Sequence, residues 1–273
     1  MYSKTLRYAS DTTLMAPNTP TSTAAAHPTA SLRVVAPLTD GSFVDAADVG
    51  SPARPIGAFI LDVDGVVADT AMLHMEAWRR LAEEEGWEFD GPTADALRGL
   101  SRDDSLRRLL NGRAVPPAAF AELLERKNGY YLASLKESDE TLAMPGVRLL
   151  LAELRELGVK LAAVSLSRNA RTVLSRTRLI GDFDVVLDGG DLSQAPSTLN
   201  RFQMAAKFLR VEPSRCVVVE DAAAGIALAR AAGMRSVGIG DYDRLCASSL
   251  VLESFRGVDA GTLIHWLSHR GHP

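Results

Sequence analysis

The chain has 273 residues, a net charge of −4, 47% hydrophobic residues and 23% charged residues. These values are ordinary for a soluble globular protein of one large or two smaller domains, and a mildly acidic chain with no basic stripe is a poor partner for nucleic acid. No apolar run is long enough to span a bilayer, and Cys216 and Cys246 form no ligand-spaced cluster, which fits a reducing cytoplasm.

Residues 1–30 are rich in Thr, Ala, Ser and Pro and are expected to be disordered. They lack the continuous apolar core of a secretory signal. Within 31–49 the stretch Leu32-Arg33-Val34-Val35 fits a short hairpin, and 51–55 reads as a linker. At 58–62 an apolar run has the character of a buried strand. It ends in Asp62 and Asp64, one residue apart, followed by Gly65. Strand side chains alternate, so the two carboxylates point the same way at the strand's carboxyl end. Like charges held together repel and call for a cation.

Residues 71–85 have a helical period, with Leu73, Ala77, Leu81 and Ala82 on one face and Gly86 as a stop. Ser101 is placed to cap a helix over 102–110 with acids in its first turn, and Pro116-Pro117 opens another helix to about Leu135. Residues 71–142 therefore read as helices without a strand. From Pro145 the rhythm changes to alternating helix and strand. Strands are predicted at 160–164, 184–187, 216–219, 236–239 and 250–252. Helices are predicted at 147–157, after 169, at 200–209, at 222–232 and near 263–267, with Gly189-Gly190 as a loop. Alternating units imply a mostly parallel sheet with helices on both faces. Ligands in such folds sit at the strands' carboxyl ends. Three of those ends are polar here: Asp62/Asp64, residues 165–169, and Glu220/Asp221.

Together, residues 62–70 (D-V-D-G-V-V-A-D-T), the strand-end Ser165 and the run closing in Glu220-Asp221 resemble the haloacid dehalogenase superfamily of phosphotransferases. Four further segments are similar to the β-phosphoglucomutase family in particular. They are Leu73-His74 with Ala77-Trp78, the run from Gly99-Leu100 through Arg102 to Ser105-Leu106, Arg126-Lys127-Asn128, and Ser165 to Ser167-Arg168-Asn169. The resemblance spans roughly 57–252. It implies an α/β fold with a doubly wound, mostly parallel, Rossmann-like sheet and a helical cap inserted after the first strand. The expected division is a tail at 1–55, a core of 56–70 and 144–273, and a cap of 71–143.

Phosphoryl transfer needs a nucleophile, a proton shuttle and neutralisation of charge. Asp62, directly off the strand, is the expected nucleophile, passing through an aspartyl-phosphate. Asp64 is the expected acid and base, with a pKa raised by its carboxylate neighbour. Mg²⁺ prefers oxygen ligands, and the expected set is Asp62, Asp64 through its backbone carbonyl, and Asp221, with Glu220 as ligand or just behind. Ser165 is expected to hold a phosphoryl oxygen. By resemblance, Ser167, Arg168 and Asn169 grip a distal phosphate and Arg102 pairs with the sugar phosphate. His74, Trp78, Gly99, Leu100, Ser105, Lys127 and Asn128 complete the substrate side.

The implied reaction interconverts β-D-glucose 1-phosphate and D-glucose 6-phosphate, with glucose 1,6-bisphosphate as the activating intermediate. The implied protein is a cytoplasmic monomer acting on a phosphorylated hexose. A sugar-phosphate phosphatase and a catalytically silent binder stay open as alternatives. One position departs from the family pattern. A lysine usually stands near what is here Ala195 or Pro196, and Arg201 is the nearby candidate to replace it.

Overall fold

A computed structural model of the protein describes residues 55–194 and 198–269. The tail up to residue 54, the hairpin expected within 31–49, and the positions of Ala195 and Pro196 lie outside the described residues.

β1 (Ala58–Asp62) runs through the middle of the sheet. β2 (Lys160–Val164) and β3 (Val185–Leu187) lie on one side of it. β4 (Cys216–Glu220), β5 (Arg235–Ile239) and β6 (Leu250–Leu252) lie on the other. The order is β3-β2-β1-β4-β5-β6, and every pairing is parallel. Alternate residues supply two cores. Phe59 and Leu61 pack with Leu161, Ala163, Val217 and Val219 on one face. Ala58 and Ile60 pack with Ala162, Val164, Cys216 and Val218 on the other. Both faces are buried, which is why these strands read as unbroken apolar runs rather than alternating ones. Register does the rest. Asp62 lies opposite Val164, and Leu61 opposite Val219, so Asp62, Ser165 and Glu220 emerge together at one edge.

Between β1 and β2 come α1 (Ala71–Glu84), α2 (Gly91–Leu97), α3 (Arg102–Leu110) and α4 (Pro117–Lys136). They bury their own apolar stripe, built from Met75, Trp78, Leu81, Leu97, Leu106, Leu109 and Leu123. The chain leaves for these helices and returns from them side by side. Asp69 N–H donates to Leu142 O at 2.8 Å and Met144 N–H donates to Val67 O at 2.9 Å. This paired ribbon is the covalent tether between the inserted helices and the sheet.

After the return, α5 (Val147–Glu156) and α6 (Ala170–Arg176) join α11 (Ala260–His269) over the Phe59 face. α8 (Arg201–Leu209) and α9 (Ala223–Ala231) cover the Ile60 face. The loop expected at Gly189-Gly190 is a single-turn helix, α7 (Gly189–Ser193). Asp188 supplies the reason, because its carboxylate accepts from Gly190 N–H and Asp191 N–H while Asp191 reaches back to Asp188 N–H. α2 and the four-residue α10 (Tyr242–Leu245) are likewise opened by aspartates, Asp90 and Asp241.

One small residue sets the floor of the β4 edge. A Cβ built on Gly225 of α9 would lie 2.1 Å from Glu220 Oε1. Alanine is the better helix former by about 1 kcal/mol, but such a clash costs roughly 1–3 kcal/mol. Gly225→Ala is therefore expected to destabilise the protein by up to about 2 kcal/mol in urea denaturation. A gain in stability would show that Glu220 is free to swing off the helix.

Candidate active site

Asp64 follows β1 and begins the turn in which Gly65, at φ +87°, reverses the chain. A Cβ on Gly65 would come within 2.5 Å of Asp221 Oδ2, so the glycine is what allows the β1 and β4 loops to close on each other. Three side chains converge on the Asp64 carboxylate. Thr70 Oγ1 donates to Oδ1 at 2.5 Å, and Ser165 Oγ donates to Oδ2 at 2.8 Å. His74 Nε2 stands 3.3 Å from Oδ1, an ion-pair distance rather than an aligned hydrogen bond. The Ser165 hydroxyl also accepts from Ser167 N–H at 2.9 Å, which fixes its rotamer.

His74 is reached from the other side by Lys127 Nζ, 2.7 Å from Nδ1. When Lys127 is protonated its ammonium can only donate, which assigns Nδ1 as acceptor and the imidazole proton to Nε2, facing Asp64. Tyr131 stacks on the ring at 4.0 Å and holds it in that plane. Burial, and then Lys127, depress the His74 pKa, which keeps the ring neutral. Lys127 is 4% exposed and lies over the faces of Trp78 and Tyr131. Its pKa falls to about 7, from burial first and from the charge of Arg102 second.

Across the cleft, Asn128 Oδ1 accepts from Arg102 Nη2 at 3.2 Å and from Asn169 Nδ2 at 2.9 Å. Asn128 is on α4 and Asn169 immediately precedes α6, so this pair bridges inserted helices and sheet. Trp78, Gly99, Leu100, Arg102, Ser105, Lys127, Asn128, Ser165, Ser167 and Asn169 line one cleft with Asp62, Asp64, His74, Glu220 and Asp221. Arg168 stays exposed outside that lining, near enough to Arg102 for its charge to lower the Arg102 pKa. Trp78 does double duty, since it also packs in the apolar stripe of α1–α4.

The charges differ from the sequence expectation at Asp64. Its pKa is not raised. Burial pushes it up, but His74, Thr70 and Ser165 outweigh that and hold it at about 2. The raised carboxyls are its neighbours. Asp62 is pushed well up by burial and by Glu220, Asp64 and Asp221. Asp221 is pushed up to about 7 by burial and Glu220, with Arg98 opposing. A carboxylate with two hydroxyl donors and an imidazole beside it is stabilised in its charged form, whereas carboxylates facing one another are not.

All these donors are oxygens, which suits a hard divalent cation. Among the described residues no three His, Cys, Asp or Glu side chains close into a metal cage. Glu220 is engaged within the protein, with Oε1 accepting from Arg201 Nη2 at 2.7 Å and Oε2 from Ala222 N–H at 3.0 Å. That leaves Asp62, Asp221 and the Asp64 backbone carbonyl as the open set, which fits an ion that retains several waters, as Mg²⁺ does.

Sequence reasoning did not single out Thr70, Met75, Leu97 or Arg98. Arg98 Nη1 lies 3.8 Å from Asp221 Oδ2, and Met75, Leu97 and Arg98 all line the cleft. Thr70 carried a usable signal, since it ends the same motif as Asp62 and Asp64.

Lys127 yields a pH test. Unfolded, its pKa is about 10.4, against about 7 in the fold. Between those values the unfolded chain holds a proton that the folded one lacks, so this group makes stability rise with pH. The stability of the wild type minus that of Lys127→Met is expected to increase from pH 7 to about 10. Urea denaturation at stepped pH measures it, and a flat difference would mean that Lys127 keeps its ordinary pKa.

A family model of haloacid dehalogenase-like hydrolases matches residues 56–233. The β-phosphoglucomutase of Bacillus subtilis (strain 168) is 36% identical over 199 residues, 71% of this chain and 88% of that protein. The fructose-1-phosphate phosphatase of Escherichia coli (strain K12) is 30% identical over 182 residues, 66% of this chain and 94% of that protein. The crystal structure of β-phosphoglucomutase from Clostridium difficile is similar with a TM-score of 0.73 and 34% identity, covering 78% of this chain and 97% of that one. The chain belongs to the haloacid dehalogenase-like hydrolases, within the β-phosphoglucomutase family.

Proposed function

We propose that this protein is an Mg²⁺-dependent phosphomutase that interconverts β-D-glucose 1-phosphate and D-glucose 6-phosphate. The observation that carries the reading is the relay from Lys127 through His74 to Asp64, whose first two members sit on the inserted helices and whose last sits on the sheet. A hydrolase needs water at its phosphoryl centre. A mutase needs its acid–base group set by the same helices that hold the sugar.

Asp62 acts as nucleophile. Its carboxylate oxygen bonds to phosphorus as the bond from phosphorus to the sugar oxygen breaks, and Asp64 manages the proton at that sugar oxygen. Kept ionised by Thr70, Ser165 and the nearby His74, Asp64 is ready to accept the proton of a sugar hydroxyl. For the reverse protonation, the hydroxyls of Thr70 and Ser165 and the Nε2 proton of His74 hold its two oxygens in position. Asp62, Asp221 and the Asp64 carbonyl would hold Mg²⁺, which supplies neutralisation of phosphoryl charge. Arg102, with Ser167, Asn169 and Asn128, takes the second phosphate of a glucose 1,6-bisphosphate intermediate. Gly99 and Leu100 sit over the sugar. The closed helices exclude water, which favours transfer to sugar over hydrolysis. We place the enzyme in the cytoplasm as a monomer.

A second reading, sugar-phosphate hydrolysis, is supported by the likeness to the fructose-1-phosphate phosphatase. Incubation with β-glucose 1-phosphate, Mg²⁺ and a trace of glucose 1,6-bisphosphate separates the two. The mutase reading expects glucose 6-phosphate without free phosphate, and free phosphate alone would replace it with the hydrolase. Asp62→Asn is expected to abolish transfer with a native melting temperature. Asp64→Asn is expected to lower turnover by about 10²–10⁴-fold, the usual worth of a positioned acid–base group.

A further inference from the structure

The loop between α2 and α3 is pressed onto the turn that follows β4. Gly99 lies in that loop at φ +71°, and a Cβ built on it would come within 3.0 Å of the Ala222 Cβ. A larger residue there would hold the two segments apart. Its neighbour Arg98 directly follows α2, and its side chain is 28% exposed. Arg98 Nε donates to Asp95 Oδ1 at 3.3 Å. That contact turns the guanidinium toward the sheet, where Nη1 lies 3.8 Å from Asp221 Oδ2.

The two oxygens of Asp221 are therefore unequal. Oδ2 is enclosed on one side by Gly65, where a Cβ would lie 2.5 Å away, and faced on the other by the Arg98 guanidinium. Neither contact engages Oδ1. Divalent cations differ in what they ask of a carboxylate. Mg²⁺ is small, demands near-ideal octahedral geometry and keeps several waters, whereas Ca²⁺ is larger, takes more oxygens and readily accepts both from one carboxylate. An Asp221 whose Oδ2 is already reserved suits the first ion and handicaps the second. A second cation, Arg244 of α10, also acts on the Asp221 carboxyl by its charge, but it pairs with Asp241 at 4.0 Å. It reserves no oxygen of Asp221 among the described residues.

We propose that Arg98 is a positioning residue for metal choice: aimed by Asp95, it reserves Asp221 Oδ2, leaves one oxygen to the cation, and so favours Mg²⁺ over Ca²⁺. This rests on the reading of Asp221 as a metal ligand. Arg98 is carried by the inserted helices and Asp221 by the sheet, so the choice belongs to the closed arrangement. A cation that needs both oxygens has to displace the guanidinium, and with it the loop seated on Ala222. Metal identity and closure then act on each other, as linked equilibria must.

Bound Mn²⁺, read by electron paramagnetic resonance and displaced by Mg²⁺ or Ca²⁺ from the full chain without sugar phosphate, gives the two affinities. Arg98→Met is expected to raise Ca²⁺ affinity relative to Mg²⁺ by about tenfold, within the usual range of coupling between linked groups. Arg98→Lys should keep more of the wild-type ratio. Asp95→Asn, at a side chain 67% exposed, leaves Arg98 present but unaimed and should shift the ratio the same way by less. Arg244→Met controls for charge alone, and it should tighten both ions alike. A merely structural Arg98 would not move the ratio. An unchanged ratio in Arg98→Met would overturn the proposal, and should that variant melt early, the ratio in Asp95→Asn decides in its place. An equal shift in Arg244→Met would also overturn it, because net charge would then be the cause. A wild type that binds none of the three ions would defeat the reading of Asp221 as a ligand, and the proposal with it. A wild type that binds them yet leaves β-glucose 1-phosphate unchanged would defeat the mutase reading while leaving the Arg98 comparison valid.

Discussion

The mutual repulsion of carboxylates at the ends of two adjacent strands is the constraint on which the rest depends. Parallel register brings Asp62 and Glu220 to the same edge, and the Gly65 turn brings Asp64 and Asp221 against them. Each of these groups would be comfortable alone in water. Together in a recess they raise the pKa values of Asp62 and Asp221. The fold tolerates this because both faces of the sheet bury large apolar clusters that supply stability elsewhere. Neutral or cationic partners are then distributed among them: Thr70, Ser165 and His74 around Asp64, Arg201 to Glu220, Arg98 toward Asp221. Among the described residues Asp62 is left without a direct donor of its own, which suits the nucleophilic role proposed for it.

The inserted helices extend that electrostatic logic across the cleft. A lysine inside an apolar cluster is costly, and Lys127 is held there by two aromatic faces and by His74. When protonated, it favours the His74 tautomer that carries its hydrogen on Nε2, the nitrogen facing Asp64. The position of α4 is thereby written into the charge state of a residue on the sheet. If the paired ribbon at Ala68 and Ala143 flexes, Lys127 and His74 leave together and Asp64 loses one of its three stabilising neighbours. Thr70 and Ser165 stay. Opening would therefore loosen Asp64 without freeing it.

Much of this was legible in the sequence, for definite reasons. β1, β2 and β4 are short apolar runs ending in acids or serine, a pattern that marks both strand and edge. Ser101 announced α3, and it accepts from Asp104 N–H as a capping serine does. Short helices were harder. α7 and α10 hold five and four residues, too few to show a period, and exist because Asp188 and Asp241 cap them. The pKa ordering at the site was not legible either. Adjacent aspartates suggest that the second is raised, but the sign is set by Thr70, His74 and Ser165, which only the fold brings to it. His74 and Lys127 are 53 residues apart, so their pairing depends on how α1 packs against α4.

Arg201 shows how a fold can satisfy an electrostatic need from an unexpected position. The need is for positive charge near Asp62 and Glu220, and chemistry does not specify which turn of chain delivers it. An arginine at the start of α8 has the reach, and the Phe202 ring and Glu220 remove its freedom. A cation carried by the sheet layer does not move with the inserted helices. Phosphoryl activation would then be available to any acceptor that reaches Asp62, water included. On the proposed function, choice between sugar and water would lie in the groups carried by the inserted helices: Arg102, Asn128, Lys127 and His74. On the proposed function, this division is consistent with relatives named as a mutase and as a phosphatase.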